Sequence, residues 1–206
     1  MIVAVEGPSA AGKTTWCRAQ PWPVVPEYTP TGREPDGADK DQQAQYWVQV
    51  DAGRWERAVE LERNSRVVIC DSDPVKLHYS WCLARVGAAP WSRFLQELGY
   101  VRTAFADGRL GFGDAVIVSI PPMEVLREHK KADTTRQRRS FELHARLAEP
   151  LREWYVALER VGPGRVVWSL PATGIPAHVE KRPQRCDVDL LDRLVKYLPA
   201  GGREDS

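Results

Sequence analysis

Short apolar segments alternate along this chain with longer segments in which apolar residues recur at helical spacing. Five of the apolar segments are rich in β-branched residues and have the length of buried strands. They cover residues 2–5, 24–27, 66–71, 114–121 and 165–170. The helical spacing predicts helices over residues 13–20, 41–63, 75–85, 90–106, 123–131, 141–160 and 188–198. This alternation predicts an α/β fold, in which a five-stranded parallel sheet carries helices on both faces.

Proline is expected to modify three of these elements. Pro23 and Pro26 flank the second strand and indicate an irregular or edge position, because proline cannot donate to a sheet ladder. Pro74 is expected to open the helix over residues 75–85. Pro150 could kink the helix over residues 141–160.

The composition is that of an ordinary globular domain. The 206 residues are 43% hydrophobic and 28% charged, which suits one domain with a substantial core. We expect this domain to span residues 1–200 and residues 201–206 to form a disordered tail. The net charge of +1 gives no bulk attraction to nucleic acid or to a membrane surface. No segment of the sequence is long and apolar enough to span a bilayer.

Cysteine usage and the beginning of the chain indicate a reducing compartment. The four cysteines show no paired metal-binding spacing, and we interpret them as reduced thiols. The first apolar run is too short for a signal peptide and has no basic region before it. We therefore expect a cytoplasmic protein.

The strongest motif lies between the first strand and the first helix. Residues 7–14 read GPSAAGKT and fit G-x-x-x-x-G-K-[ST], the P-loop, whose backbone N–H groups bind phosphate. The two glycines allow a tight turn and close approach of a ligand. Lys13 is expected to reach the β- and γ-phosphates, and the Thr14 hydroxyl is expected to bind Mg²⁺. The predicted nucleotide-binding residues of the loop are Gly7, Ser9, Ala10, Ala11, Gly12, Lys13, Thr14 and Thr15.

Acidic residues end two other predicted strands. Glu27 ends the second strand and Asp71 ends the third. Because ligands of parallel sheets bind at the carboxyl ends of the strands, both carboxylates should lie near the P-loop. Asp71 could hold Mg²⁺ or accept a proton from a substrate hydroxyl, and Glu27 could be the base instead. The sequence leaves this choice open.

The helix over residues 41–63 offers candidates for substrate contact. Its apolar stripe contains Trp47 and is interrupted by Asp51, with Arg54 three residues later. The Asp51–Arg54 pair is either an ordinary surface salt bridge or part of a pocket. Trp47 could stack on a flat ring, although core packing explains most of the eight tryptophans.

A basic segment follows the fourth strand. Residues 128–140 extend from the last turn of one predicted helix to the start of the next and contain few apolar residues. A segment in this position can act as a lid that closes over a triphosphate and stabilises the transferring phosphoryl group. We expect Arg136 and Arg139 to act in the reaction, and Arg127 and Arg138 to contact the nucleotide. The alternative is a solvated run of charge.

Several of these segments together resemble the thymidylate kinase and deoxynucleoside kinase group of P-loop kinases, over roughly residues 1–160. TGREPDG is similar to the Arg-Glu-Pro segment of thymidylate kinases. VDAGRWERAVELERNSRVVICDSD resembles their helix with a substrate-contacting arginine and the strand that follows. KLHYSW and GDAVIVSIPPMEVLREHK resemble their next helix and their fourth strand with its lid helix. These segments are residues 31–37, 50–73, 76–81 and 113–130.

The resemblance implies roles for arginines that spacing alone does not assign. By this resemblance, Arg33 and Arg54 contact the phosphoryl acceptor, and Arg136, Arg138 and Arg139 are lid arginines.

The chain departs from that group directly after the strand-end aspartate. The group usually has an arginine where this chain has Ser72, which is followed by Asp73. That arginine helps to hold an anionic acceptor, whereas a carboxylate at Asp73 repels one. We therefore expect a neutral or cationic acceptor with a hydroxyl group, and we expect Asp73 to contact it.

The sequence predicts a kinase that uses ATP and Mg²⁺ to phosphorylate a nucleoside- or nucleotide-like small molecule, without nucleic acid or membrane. Two alternatives remain open: a kinase of a non-nucleotide hydroxyl compound, such as an antibiotic or secondary metabolite, and a regulatory P-loop NTPase that binds a partner protein. The sequence does not decide between ATP and GTP, and it allows a homodimer. The predicted acceptor-binding residues are Glu27, Arg33, Trp47, Asp51, Arg54 and Asp73.

Overall fold

The computed structural model of the chain describes residues 1–35, 39–132 and 141–199. Its strands are β1 (Ile2–Glu6), β2 (Val24–Val25), β3 (Val68–Asp71), β4 (Ala115–Val118) and β5 (Val166–Trp168). They form one sheet in the order β2-β3-β1-β4-β5, and every neighbouring pair is parallel. The predicted five-stranded parallel sheet is confirmed, and β1 lies at its centre.

Helices and loops cover both faces of the sheet. The helices are α1 (Lys13–Arg18), α2 (Lys40–Glu62), α3 (Leu77–Arg85), α4 (Trp91–Ala106), α5 (Met123–Ala132), α6 (Phe141–Arg146), α7 (Ala148–Val161) and α8 (Val188–Tyr197). Successive strand side chains point to opposite faces. Ile2 and Ala4 therefore join the core beneath α2, α3, α4, α7 and α8, while Val3 and Val5 pack towards α1 and the segment after β5. The larger helical layer lies on one face only.

The proline expectations agree with the structure at the edge strand β2 and at Pro150, and they differ from it at Pro74. The helix predicted over residues 141–160 is two helices that meet at Leu147, and Pro150 lies in the first turn of α7, where its missing N–H costs no helical hydrogen bond. Strand β2 keeps only two residues between Pro23 and Pro26. Pro74 does not open α3, which begins at Leu77, because the Asp73 carboxylate accepts the Val75 N–H in a turn before it.

Two predicted segments fall largely or wholly outside the described residues. They are the disordered tail at 201–206 and residues 133–140 of the lid. Within the three described ranges, no helix combines the length and the apolar character that crossing a bilayer requires.

A cluster of charges closes the end of the sheet opposite the strand carboxyl ends. The Arg185 guanidinium binds both oxygens of Asp114 and both oxygens of Glu62, at 2.6 to 2.9 Å. Asp114 also accepts the Ile2 N–H at 2.7 Å. The Arg185 side chain is only 12% exposed. The cluster therefore ties the segment before α8 to α2 and to the start of the central strand.

We expect Arg185→Met to lower the free energy of unfolding by about 3 kcal/mol, because the buried Asp114 carboxylate loses the guanidinium that binds both its oxygens, while Glu62 keeps the Met1 and Lys181 ammonium groups. Arg102→Met is the control, since Arg102 pairs with Asp192 at 2.8 Å on the surface with both side chains well exposed, and its loss should cost less than about 1 kcal/mol. Denaturant titration measures both. Equal losses in the two variants would contradict the role given to Arg185.

Candidate active site

A cavity of about 560 Å³ opens at the carboxyl ends of β1 and β2. One side of it is the segment from Gly7 to Thr15, which contains the loop between β1 and α1 and the first residues of α1. The other side is built by α2, α3, α4 and α6, with Leu147 and Leu151 behind them. This is the edge of the sheet at which parallel strands present ligand sites.

The P-loop has the backbone geometry that its glycines predict. A Cβ on Gly7 would lie 2.1 Å from the backbone oxygen of Ser119, so no other residue fits where the loop passes β4. Gly12 turns into α1 with φ of +83°, and Ala10 takes φ of +72°, a conformation that residues with a Cβ rarely adopt. All the predicted nucleotide-binding residues from Gly7 to Thr15 line the cavity.

Two side chains contact the carbonyl groups of this loop. The Lys13 ammonium donates to the carbonyl oxygens of Gly7 at 2.7 Å and Pro8 at 3.3 Å. On α5, Nδ1 of His129 lies 2.9 Å from the Ala10 oxygen. Lys13 is thus at the loop where a phosphate would lie, and α5 touches the loop directly.

Glu6 is the buried centre of the site, although the sequence did not single it out. Its side chain accepts from the Gly7 N–H at 2.9 Å, the Ser72 hydroxyl at 3.0 Å and the Asp73 N–H at 3.1 Å. It also binds the Lys76 ammonium at 3.1 Å, and Nε2 of His78 lies 3.3 Å away. One carboxylate therefore joins the ends of β1 and β3 to the start of α3.

The charges around Glu6 decide its ionisation. Burial by itself raises the pKa of this carboxyl, but the Lys76 ammonium and the His78 ring lower it, and the resulting pKa lies well below the usual 4.5. Burial likewise lowers the pKa of Lys76, but Glu6 and Glu27 raise it, so the pKa of Lys76 lies above its usual value. Glu6 is therefore a fixed negative charge at neutral pH, and Lys76 is a fixed positive one.

The two carboxylates predicted to share the base and metal roles differ in position. Glu27 lines the cavity, its side chain is 45% exposed, and it lies 3.7 Å from Lys76. Asp71 is buried and does not line the cavity, and within the described residues its Oδ1 has no hydrogen-bond partner. A buried carboxylate oxygen with no donor is suited to a cation, so the structure fits the prediction of Mg²⁺ at Asp71, with Thr14 on the cavity wall.

Asp73, which was predicted to contact the acceptor, does not line the cavity. The side chain is buried, accepts from the Tyr155 hydroxyl at 2.9 Å and from the Val75 N–H at 3.0 Å, and does not line the cavity. Burial raises the pKa of Asp73, although the neighbouring His78 opposes this. The physical reason for the difference is the turn before α3, which directs Asp73 towards α7.

Arg54 lines the cavity, but its guanidinium holds the backbone. It donates to the carbonyl oxygens of Pro26, Asp71, Ser72 and Asp73 at 2.8 to 3.4 Å. The predicted Asp51–Arg54 pair is not a surface salt bridge. Arg54 joins the ends of β2 and β3, and Asp51 is a buried wall residue whose carboxylate accepts the Lys76 N–H at 3.3 Å.

The remaining predicted residues divide between the cavity and the surface. Trp47 lines the cavity and packs edge-on against Tyr28 and Tyr46. Arg33 is exposed in the loop before α2 and does not line the cavity. Arg127 is exposed on α5 and does not line it either. Arg136, Arg138 and Arg139 lie outside the described residues.

Several wall residues could not be recognised from the sequence. Glu6 had one signal, a carboxylate directly before the first glycine of the P-loop. His144 on α6 carried none, and neither did the α4 ion pair of Arg93 with Glu97, whose Nε and Oε1 are 3.0 Å apart. Burial lowers the pKa of His144, and the ammonium groups of Lys76 and Lys13 lower it further. The cavity-lining residues that the sequence did not single out are Glu6, Lys76, Tyr79, Arg93, Glu97 and His144.

Comparison with known proteins identifies the fold. No family model and no curated protein matches the chain. A deoxyadenosine kinase from M. mycoides with bound dATP matches with a TM-score of 0.55 and 13% identity, covering 95% of this chain and 99% of that chain. The same enzyme with the products dCMP and a flexible dCDP, and with dCTP, gives TM-scores of 0.55 and 0.52 at 14% identity and equal coverage. At this identity the likeness concerns the fold, and the chain has the α/β fold of a deoxynucleoside-kinase-like P-loop kinase.

We expect Glu6→Gln to destabilise the protein by roughly 3 kcal/mol at pH 7, because the Lys76 charge then lacks its buried partner. The pKa of Glu6 in the folded protein is below its usual 4.5. The stabilisation is therefore present above that pH and is lost as the pH falls towards the folded-state pKa. Denaturant titrations of wild type and variant between pH 7 and pH 3 should converge.

The double variant Glu6→Gln/Lys76→Met should recover part of that loss, since both charges are gone. Glu60→Gln on the exposed face of α2 is the matched control and should have little effect. A constant gap between wild type and Glu6→Gln across this pH range would contradict the assignment.

Proposed function

We propose that this protein is an ATP- and Mg²⁺-dependent kinase, which transfers the γ-phosphoryl group to a hydroxyl of a nucleoside-like small molecule. The observation that carries the proposal is that one cavity contains both halves of such a site. The P-loop from Gly7 to Thr15 forms one side, and a wall with Trp47, Asp51 and Arg93 forms the other. A nucleotide bound at the loop would therefore face an acceptor in the same cavity.

Lys13 and the P-loop backbone support the donor half of this proposal. Phosphoryl transfer needs positioning and charge neutralisation more than covalent chemistry. The Lys13 ammonium is already at the loop, where it contacts carbonyl groups of Gly7 and Pro8, and it can exchange them for phosphate oxygens. The lid arginines Arg127, Arg136, Arg138 and Arg139 belong to the proposal on sequence grounds.

Glu27 is the better candidate for the base, because it lines the cavity and Asp71 does not. Lys76 lies 3.7 Å from Glu27 and positions its carboxylate. Asp71 and the Thr14 hydroxyl would hold Mg²⁺, which when bound neutralises charge on the phosphates. The bound ligands of the neighbouring deoxyadenosine kinase, dATP, dCTP and dCMP, make deoxynucleosides the first acceptors to test, beside non-nucleotide hydroxyl compounds.

Lys13→Ala should lower kcat by about 100-fold or more while the protein stays folded, because an electrostatic stabiliser of the transferring group is lost. ADP release in the presence of ATP, Mg²⁺ and a panel of acceptors measures turnover, and circular dichroism checks folding. Lys196→Ala, on the exposed side of α8, is the control and should behave as wild type. Near-normal turnover of Lys13→Ala at saturating ATP would exclude this function, as would ADP release that no acceptor stimulates.

Glu27→Gln and Asp71→Asn should separate the base from the metal ligand. Glu27→Gln should lower kcat by about 100-fold or more without changing the Mg²⁺ concentration for half-maximal activity. Asp71→Asn should raise that Mg²⁺ concentration, and its unfolding free energy without ligand should not fall, because among the described residues no donor binds the buried Oδ1 of this carboxylate. If Glu27→Gln raised the required Mg²⁺ concentration and Asp71→Asn lowered only kcat, Glu27 would be the metal ligand and Asp71 the base.

A further inference from the structure

Two acidic side chains face the acceptor half of the cavity from different helices. Asp51 lies on α2 and Glu97 on α4, and both line the cavity. Asp51 is 6% exposed and Glu97 is 8% exposed. Buried carboxylates are rare unless a cation or hydrogen-bond donors satisfy them, so each of these needs an account of its partners.

Within the described residues, only one oxygen of each carboxylate has a hydrogen-bond donor. Oδ2 of Asp51 accepts the Lys76 N–H at 3.3 Å, and Oε1 of Glu97 accepts from Nε of Arg93 at 3.0 Å. Among residues 1–35, 39–132 and 141–199, no donor binds the second oxygen of either side chain. Each carboxylate therefore keeps an acceptor available at the cavity.

The surroundings make negative charge costly at this wall. Burial raises the pKa of Asp51 well above its usual value; the Arg54 and Lys76 charges oppose this, and the nearby Glu97 carboxylate adds to the rise. A ligand that brings N–H donors or positive charge would relieve both the desolvation and the repulsion. A ligand that brings only carbonyl or phosphate oxygens would increase them.

We propose that Asp51 and Glu97 together bind an amino group of the acceptor, so that the substrate is a hydroxyl compound that carries an exocyclic or protonated amine. This inference rests on the proposed function, because it names the acceptor of the same cavity. Trp47 and Tyr79 on the cavity wall provide aromatic surface for a ring or a cation beside that amine. The sequence predicted that the Asp73 carboxylate would disfavour an anionic acceptor. In this proposal, Asp51 and Glu97 have that effect instead.

The amide variants Asp51→Asn and Glu97→Gln test the pair without removing the protein's own bonds. An asparagine oxygen can still accept the Lys76 N–H, and a glutamine oxygen can still accept from Arg93. The negative charge is lost, and the second oxygen of each carboxylate becomes an NH2 group, which cannot accept a hydrogen bond from an amine. Glu56→Gln is the matched control, because Glu56 is an exposed carboxylate on the same helix as Asp51 and does not line the cavity.

The probes are matched pairs that differ at the amino group and keep their hydroxyl groups. Deoxyadenosine is compared with deoxyinosine, deoxycytidine with deoxyuridine, and an aminocyclitol with its N-acetyl derivative. The first two pairs test a ring amine and the third a protonated amine. For each pair, kcat/KM comes from acceptor-dependent ADP release, and Kd comes from quenching of tryptophan fluorescence on titration with the probe alone.

Wild type should favour the amine member of at least one pair by about tenfold or more, since a hydrogen bond to a charged group is worth roughly that factor. Asp51→Asn and Glu97→Gln should each reduce the preference at least about fivefold, and Glu56→Gln should leave it unchanged. A preference that survives both amide substitutions overturns the inference. A wild-type preference below about twofold in every pair, including failure of all probes to bind, also overturns it.

The binding measurement separates this inference from the proposed function. If amine probes bind with the expected preference and the variants lose it, but no probe supports ADP release, the pair is supported and the kinase proposal fails. If ADP release depends on acceptors without any amine preference, the kinase proposal is supported and the pair is rejected.

Discussion

The site depends on one buried carboxylate, Glu6, at the end of the central strand. Placing an ion there costs several kcal/mol before its partners are counted. The Gly7 and Asp73 N–H groups, the Ser72 hydroxyl and the Lys76 ammonium offset that cost. Because these donors come from the P-loop, the end of β3 and the start of α3, the carboxylate fixes the P-loop relative to the opposite wall of the cavity.

The turn after β3 shows how strongly this frame constrains the backbone. Ser72 takes φ of +81°, which is unfavourable for a residue with a Cβ. In this conformation the donors of the turn face Glu6, while the carbonyl groups of Asp71, Ser72 and Asp73 face the Arg54 guanidinium. The hydrogen bonds to Glu6 on one side of the turn and to Arg54 on the other therefore offset the backbone strain at Ser72.

The same geometry favours a small side chain at position 72. The Ser72 side chain is fully buried beside Glu6, so a long cationic side chain would not fit there without moving its neighbours. Lys76 instead brings a cation to Glu6 and Glu27 from the start of α3. The sequence shows that position 72 carries no arginine, but the cation of Lys76 at this place is recognised only when the turn brings position 76 back towards the strand end.

Local periodicity and one motif were enough to predict the sheet and the position of the P-loop at the carboxyl end of β1. Buried parallel strands are short apolar runs that can be read one at a time, and the P-loop residues are neighbours in the chain. The interruption at Leu147 agrees with the kink expected at Pro150, because a proline ring clashes with the carbonyl group four residues before it, here that of Arg146. Asp73 was misplaced because its partner is Tyr155, which is 82 residues away in the sequence. Such contacts depend on which helices pack together, and local spacing carries no information about them.

A deoxyadenosine kinase structure shares this fold over 95% of the chain at 13% identity. The backbone of the P-loop must pass β4 closely at Gly7, and the strand ends must be joined, so these features leave little freedom. The wall formed by α2 and α4 only has to remain packed on its buried side, and its cavity side can change with the acceptor. Ligand specificity in such a fold therefore depends on the side chains that line the cavity. In this chain, Asp51, Glu97 and Arg93 line it.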